Sequence, residues 1–159
     1  MAGNVKPIPD NYRRVTPYLI VNGAADAIDF YKKIYGATEI MRMPGPDGKI
    51  GHAELKIGDS VVMLADESLE RGHKSAKTLG GSPVGLVIYV EDVDRTVKNA
   101  VAAGSKLIRP VEDQFYGDRT GGIEDPFGHG WYVATHVEDV SPEEMKKRAD
   151  AMMSAAASK

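Results

Sequence analysis

His52 and Glu54 are the residues of this chain whose types and spacing best suit chemistry. They lie two positions apart in Ile50–Ile57, which has the composition of a strand. Residues i and i+2 of a strand point to one face, so the imidazole and the carboxylate can project into the same cavity. Such a pair suits a general base or half of a metal site. In the alternative interpretation they are ordinary neighbours on a solvated sheet face, with Glu54 paired to a Lys or Arg.

Aromatic residues on other predicted strands would line the same cavity. Side chains alternate between the two faces of a strand, so residues two apart share a face. Three such groups are Thr16 with Tyr18, Val87 with Tyr89, and Tyr132 with Ala134 and His136. In a nearby loop, Tyr116 could stack on a ring, and Arg119 could clamp a carboxylate or phosphate. This set suits a flat, partly apolar small molecule. Alternatively, the tyrosines fill a core and Arg119 lies in a solvated turn.

The elements that must position these residues form a pattern that occurs twice. Each half is predicted to contain a strand, an amphipathic helix that ends at a glycine, and three further strands. The first half comprises Val15–Val21, Ala24–Tyr35, Thr38–Met43, Ile50–Ile57 and Ser60–Ala65. The second comprises Val84–Val90, Val93–Ala103, Lys106–Arg109, Asp118–Ile123 and His129–His136.

Two glycine landmarks repeat at one spacing. Gly36 and Gly104 follow the two predicted helices, Gly58 and Gly128 lie in corresponding turns, and each pair is separated by roughly 70 residues. We therefore predict an α+β fold of two βαβββ modules with a C-terminal helix. Two unrelated strand-helix-strand stretches that match by chance are the alternative.

The predicted organisation has three parts. Residues 1–13 form an N-terminal arm, 14–139 the domain, and 140–159 a C-terminal helix and tail. Within the domain, module one covers about 14–66, a linker 67–82, and module two about 83–139. Ser141 is the expected N-cap of the last helix. Its stripe of Met145, Met152 and Met153 is expected to dock on the domain or on a partner subunit.

Composition excludes several functional classes. The chain has 20 Lys+Arg, 23 Asp+Glu and a net charge of −3, with no basic patch, so no nucleic-acid partner is expected. Its apolar runs fall far short of the roughly 20 residues that span a bilayer, so no membrane role is expected. Without cysteine, disulfides, thiolate metal sites and cysteine nucleophiles are excluded. We expect a cytoplasmic protein.

Five segments in order resemble landmarks of the vicinal oxygen chelate superfamily, which includes glyoxalases, bleomycin-resistance proteins and extradiol dioxygenases. They are Val15–Leu19, Ala27–Tyr31 ahead of Gly36, Gly51–Leu55, Val90–Asp94 and Asp125–His129, so the likeness covers about Arg14 to Asp139. The resemblance implies that each module curls into a half-barrel and that two modules enclose a ligand cleft. In many members this cleft holds a divalent metal bound by about four His and Glu side chains.

The metal positions that the resemblance implies fall here at Thr16, Met63, Gly85 and Tyr132, none of which suits a divalent cation. We therefore predict that the protein uses no metal and no cofactor. We expect it to bind a small organic molecule and, if it also transforms that molecule, to do so without a metal. Metal-free family members that sequester drugs are the nearer analogy. The alternative is a metal-dependent lyase, isomerase or dioxygenase in which His52, Glu54 and His136 form an atypical site.

The predicted site has His52 and Glu54 as catalytic residues. Its ligand-binding residues are Thr16, Tyr18, Tyr89, Tyr116, Arg119 and Tyr132. A purely structural or interaction protein is the third class left open. Sheets of this modular kind usually pair with a twin, so a homodimer is expected.

Overall fold

The computed structural model of the protein describes residues 6–157, so parts of the predicted N-terminal arm and C-terminal tail lie outside the described residues. The chain forms two compact units. Unit 1 runs up to Pro83 and also includes Pro126–Gly128; unit 2 consists of Val84–Asp125 and the chain from His129 onward.

Unit 1 is built on a four-stranded mixed sheet. Its elements are β1 (Tyr18–Val21), α1 (Ala24–Tyr35), β2 (Thr38–Pro44), β3 (Ile50–Ile57), β4 (Ser60–Asp66) and the short helix α2 (Ala76–Leu79). The strand order is β1-β4-β3-β2. β1 is parallel to β4, and the other pairs are antiparallel.

Unit 2 repeats this connectivity. Its elements are β5 (Gly85–Tyr89), α3 (Val93–Ala102), β6 (Lys106–Asp113), β7 (Asp118–Glu124), β8 (Gly130–His136) and α4 (Pro142–Ala157). The strand order is β5-β8-β7-β6, with β5 parallel to β8 and the remaining pairs antiparallel. The predicted α+β fold of two βαβββ modules followed by a C-terminal helix is confirmed.

The core of unit 1 is aromatic and aliphatic. α1 turns Phe30 and Tyr31 inward, and Phe127 packs edge-on against both at ring distances of 6.1 and 6.2 Å. From the sheet, Leu55 and Leu64 contribute side chains with no exposed surface. Burial of such side chains stabilises a fold by roughly 1.5–3 kcal/mol each. One face of the sheet is thereby committed to packing, which leaves the other face available for a site.

Unit 2 has a smaller helix–sheet core. Val93, Val97 and Ala100 of α3 are buried, as the predicted helical periodicity requires. At the turn before β8, the buried carboxylate of Asp125 accepts hydrogen bonds from the indole N–H of Trp131 and the backbone N–H of His129, both at 2.9 Å. This carboxylate satisfies two buried donors and so fixes the start of β8.

Several predicted boundaries shift in the structure. β1 begins at Tyr18 because Val15 is 84% exposed and Pro17 has no N–H to pair. The predicted linker contains α2, whose N-cap Ser75 accepts from the N–H of Thr78. β6 continues past Pro110, an edge-strand position beside two irregularities of register.

The C-terminal helix begins as predicted, with the Ser141 hydroxyl accepting from the N–H of Glu144 at 3.2 Å. Arg148 ties α4 to the preceding segment through two 2.8 Å hydrogen bonds to Glu138. Met152 and Met153 are 56% and 68% exposed, so docking of the methionine stripe on a partner stays a prediction. None of the helices within residues 6–157 combines the length and apolar character that a bilayer crossing requires.

Candidate functional site

Unit 1 carries a chain of four hydrogen-bonded polar side chains on its open sheet face. The Tyr18 hydroxyl lies 2.9 Å from Nδ1 of His52, and Nε2 of His52 lies 3.1 Å from Oε1 of Glu54. Tyr12 donates its hydroxyl to the other oxygen of Glu54 at 2.6 Å. Glu54 is buried and His52 half-buried, so β3 holds both ends of this pair in place.

The electrostatics of the chain fix the direction of its hydrogen bonds. The hydrogen bond from Tyr12 lowers the pKa of Glu54; burial opposes this and the hydrogen bond with His52 assists it. Glu54 is therefore a carboxylate near neutral pH, and Nε2 of His52 must donate to it. In a neutral imidazole Nδ1 then accepts from Tyr18, whose pKa is raised by burial and by the charge of Glu54.

Methionines surround this polar chain. In the register of the sheet, Met63 lies between Tyr18 and Glu54, and Met41 is the partner of Glu54 on the outer strand. Met43, the partner of His52, is 52% exposed. Unit 1 thus presents an imidazole, a carboxylate and two phenols on an apolar, adaptable surface. This arrangement can hold and exchange a proton.

Unit 2 contains a pocket of about 490 Å³ on the corresponding face of its sheet. The register places Val87, Tyr132, Gly122 and Arg109 in one row across β5, β8, β7 and β6. Because Gly122 has no side chain, the guanidinium of Arg109 reaches over it to the ring of Tyr132, 5.7 Å from the centroid. An aromatic ring and a cation therefore form the floor of the pocket.

A second row closes the pocket with polar groups. Tyr89, Ala134, Thr120 and Glu112 lie across the same four strands, and all four line the pocket. Tyr116, 37% exposed, lies in the loop between β6 and β7 and adds a third aromatic wall. The pocket has the size and the mixed aromatic and polar lining of small-molecule sites.

Asp118 anchors a hydrogen-bond network at one side of this pocket. Its carboxylate accepts from the Tyr89 hydroxyl at 2.7 Å and from Nδ1 of His136 at 2.7 Å, while Nε2 of His136 faces Asp139 at 3.0 Å. Burial acts to raise the pKa of Asp118, but the hydrogen bonds from His136 and Tyr89 outweigh it and the net shift is downward. The hydrogen bonds to Asp118 and Asp139 raise the pKa of His136.

The structure distributes the predicted site residues between the two units. Tyr89, Tyr116 and Tyr132 line the pocket of unit 2, whereas Tyr18, His52 and Glu54 form the polar chain of unit 1. Thr16 donates its hydroxyl to the carbonyl of Arg13.

Arg119 is engaged elsewhere: Asp94 binds it through two hydrogen bonds of 2.7 and 2.8 Å, and Asp113 through one of 2.9 Å. It is absent from the residues that line the pocket.

Sequence reasoning missed three residues: Tyr12, Arg109 and Asp118. Tyr12 lies in the N-terminal arm, where no periodicity indicates a contact with β3. The other two had a usable signal, because the period of two puts Asp118 on one face of β7 with Thr120, and Arg109 ended a predicted strand.

The residues present do not fit the divalent metal that the resemblance implies. Met63 is a thioether, and at Gly85 the space for a ligand side chain is filled by the ring of Tyr132, whose Cε2 would lie 2.8 Å from an added Cβ. Within residues 6–157, no three His, Asp or Glu side chains are grouped so that they could hold a metal ion.

The repeated βαβββ fold, with polar and aromatic residues on one face of each sheet, is the architecture of glyoxalase-type proteins. The family model for the Glyoxalase/Bleomycin resistance protein/Dioxygenase superfamily matches residues 13–133. The chain belongs to this superfamily. An uncharacterized protein of Mycobacterium bovis is 43% identical over 149 residues, which cover 92% of this chain and 94% of the relative.

Solved structures show the same fold. A gene product of Arabidopsis thaliana has a TM-score of 0.64 and 28% identity, covering 77% of this chain and 98% of that one. The protein PA1353 of Pseudomonas aeruginosa has a TM-score of 0.65 and 24% identity, covering 79% and 99%.

Proposed function

We propose that this protein binds a small, flat, partly apolar organic molecule in the pocket of unit 2. The observation that carries the proposal is the pocket itself, in which Tyr89, Tyr116 and Tyr132 offer aromatic surface and Arg109 and Thr120 offer polar groups. Aromatic walls supply most of the contact area for a planar ligand, and a few fixed polar groups select its orientation.

A thermal-shift screen of small aromatic compounds of different charge tests this proposal. Compounds that raise the unfolding temperature are then titrated against two single variants, Tyr132→Ala and Tyr18→Ala. The two tyrosines are matched in exposure, at 44% and 45%, but lie in different units. We expect Tyr132→Ala to weaken binding by about tenfold or more and Tyr18→Ala to have a smaller effect. The reverse ranking would contradict the assignment to unit 2.

Binding and catalysis are separated by following the ligand. Each compound that binds is incubated with the protein for hours and analysed by mass spectrometry. Recovery of unchanged compound supports a binding protein of the sequestering kind, and a product that grows with protein concentration supports an enzyme.

The polar chain of unit 1 favours a second candidate function, metal-independent proton transfer. Glu54 orients His52, and His52 holds the hydroxyl of Tyr18, which is 45% exposed and able to meet a substrate. In this function Nδ1 of His52 would take the proton of the Tyr18 hydroxyl, and the resulting phenolate oxygen would take the proton of the substrate; the reverse transfers would return it.

Its test is solvent exchange. Carbonyl compounds with an acidic α-proton are incubated in deuterated water, and exchange is followed by NMR. His52→Gln should abolish any protein-dependent exchange, whereas Tyr132→Ala should retain it. Exchange that survives His52→Gln would exclude this role.

As part of the same proposal, the protein works in the cytoplasm as a homodimer. Sedimentation of the purified chain tests the second point, because a strict monomer at micromolar concentration would exclude it.

A further inference from the structure

We propose that the pocket of unit 2 selects planar carboxylates, such as aromatic or conjugated acids, and that Arg109 is the residue that binds their charge. The inference rests on the proposed ligand-binding function of this pocket and names the chemical class of its ligand. It is carried by the way two glycines, one tyrosine and one arginine are arranged on the sheet.

The side chain of Arg109 packs closely against a glycine, Gly122. A Cβ added at Gly122 would lie 3.3 Å from Cβ and 3.5 Å from Cγ of Arg109, its cross-strand partner. Gly122 does not have a positive φ, so its backbone conformation would accept other residues. Its value here is space: an added Cβ would contact the stem of Arg109 so tightly that the stem would have to shift.

The ring of Tyr132 packs in the same way against a second glycine, Gly85. A Cβ at Gly85 would lie 2.8 Å from Cε2 of the Tyr132 ring, and Gly85 likewise lacks a positive φ. Side chains at 85 and 122 would both disturb the pair of Tyr132 and Arg109. The two glycines therefore leave room for a paired surface in which the guanidinium of Arg109 lies over the ring of Tyr132.

The charge of Arg109 is left for a ligand. Arg119 and Arg148, in the same unit, are each bound by two carboxylate side chains. Within residues 6–157, by contrast, no carboxylate oxygen of the protein pairs with Arg109, whose guanidinium lies over the face of Tyr132. A planar guanidinium with free donors binds a carboxylate through two parallel hydrogen bonds, which is the geometry that Arg provides better than Lys.

The two carboxylates of the pocket differ in whether the protein already occupies them. Both oxygens of Asp118 are already occupied, by Tyr89 and His136. Glu112 lies one row along from Arg109, opposite Thr120, and the protein gives it no ion pair within the described residues. Glu112 is therefore an acceptor in the pocket that a hydroxyl or amino group of the ligand could contact.

Three probes of one shape and different charge test this inference by calorimetry. They are 6-hydroxy-2-naphthoate, its uncharged carboxamide, and its aminomethyl analogue, which is a cation. The variants are Arg109→Gln, Arg109→Lys and, as a matched control, Lys106→Gln, which removes the same charge from the same strand outside the pocket. Circular dichroism verifies that each variant is folded.

We expect the wild type to bind the naphthoate more tightly than the carboxamide and the cation. Arg109→Gln should weaken naphthoate binding by about tenfold or more, Arg109→Lys by less, and Lys106→Gln by less than about twofold. Binding of the carboxamide should change by less than about threefold in all three variants, because the uncharged amide forms no ion pair at position 109.

Three results would overturn the inference, and they separate it from the proposed function. Equal losses of acid and carboxamide on Arg109→Gln would show a packing role. Preference of the wild type for the carboxamide or the cation would refute carboxylate selection and leave ligand binding standing. If no aromatic probe or library compound of any charge binds, the proposed function fails as well.

Discussion

The substitution Gly85→Ala tests, without any ligand, whether the Tyr132 ring packs closely against position 85. The added Cβ would lie 2.8 Å from Cε2 of Tyr132, closer than carbon atoms approach, so the ring has to move. Gly130→Ala is the matched control. Gly130 pairs with Gly85 across β5 and β8, and an added Cβ there meets nothing within 4 Å.

Two opposing contributions set the expected size. Replacement of a strand glycine by alanine stabilises by about 0.5–1 kcal/mol, because the unfolded chain loses freedom. Overpacking costs about 1–3 kcal/mol, and the low end applies here because Tyr132 is 44% exposed and its ring can tilt away. We therefore expect Gly130→Ala to stabilise by about 0.5 kcal/mol and Gly85→Ala to destabilise by about 0.5 kcal/mol.

Urea unfolding of a double-mutant cycle measures the effect. With Tyr132→Ala in place the clash disappears, so Gly85→Ala should become stabilising and the coupling between the two sites should be about 1 kcal/mol. Gly130→Ala should give the same change with and without the ring. Equal effects of Gly85→Ala and Gly130→Ala in the wild-type background, with no coupling to Tyr132, would refute the packing of the Tyr132 ring against Gly85. That result would also weaken the case for a preformed pocket.

Other predictions concern the buried and titrating groups. Asp125→Ala should lower the free energy of unfolding by about 2–4 kcal/mol in urea titrations, because the indole of Trp131 and a turn amide lose their buried acceptor; a loss below about 1 kcal/mol would contradict this role. Hydrogen bonds to Asp118 and Asp139 raise the pKa of His136 in the folded protein. The stability that protonated His136 gives the fold is therefore complete below the ordinary histidine pKa near 6.5 and is lost as the pH rises through the folded-state pKa. His136→Gln should thus destabilise the protein more at about pH 6 than at about pH 9, as measured by thermal unfolding at both pH values. An equal loss of stability at the two pH values would contradict this prediction.

Elements with a complete local signal could be predicted to the residue. α1 and β3 match Ala24–Tyr35 and Ile50–Ile57, because the first has a continuous apolar stripe ending at Gly36 and the second is bounded by turn residues on both sides. The repeat could be predicted for the same reason, since it depends on landmarks at element ends. The exact start of β1 could not, because pairing with β4 decides it.

β6 shows where local rules lose to tertiary context. The predicted strand ends at Arg109, directly before a proline, yet the structure carries it through Pro110 to Asp113. The strand lies at the sheet edge, where an absent N–H leaves no partner unsatisfied, and the irregular pairing between Arg109 and Glu112 absorbs the proline.

The candidate site was predictable in residue type more than in arrangement. Strand period correctly grouped His52 with Glu54, and the hydrogen bond between them confirms that they share a face. The same period places Arg119 on the opposite face of β7 from Asp118, where α3 supplies Asp94 as its partner. Which of two arginines faces a pocket is thus decided by strand parity, together with the charges on the helix behind the sheet.

The irregular edge of β6 also bears on how copies of this chain can associate. Leu107 and Ile108 are about half exposed there, at 49% and 51%, which would make a regular edge prone to aggregation. Pro110 removes one donor, and the shifted register breaks the row of backbone groups that an incoming strand would need. Sheet extension through this edge is therefore interrupted after a few residues, so β6 offers a second copy of the chain no continuous row of backbone partners.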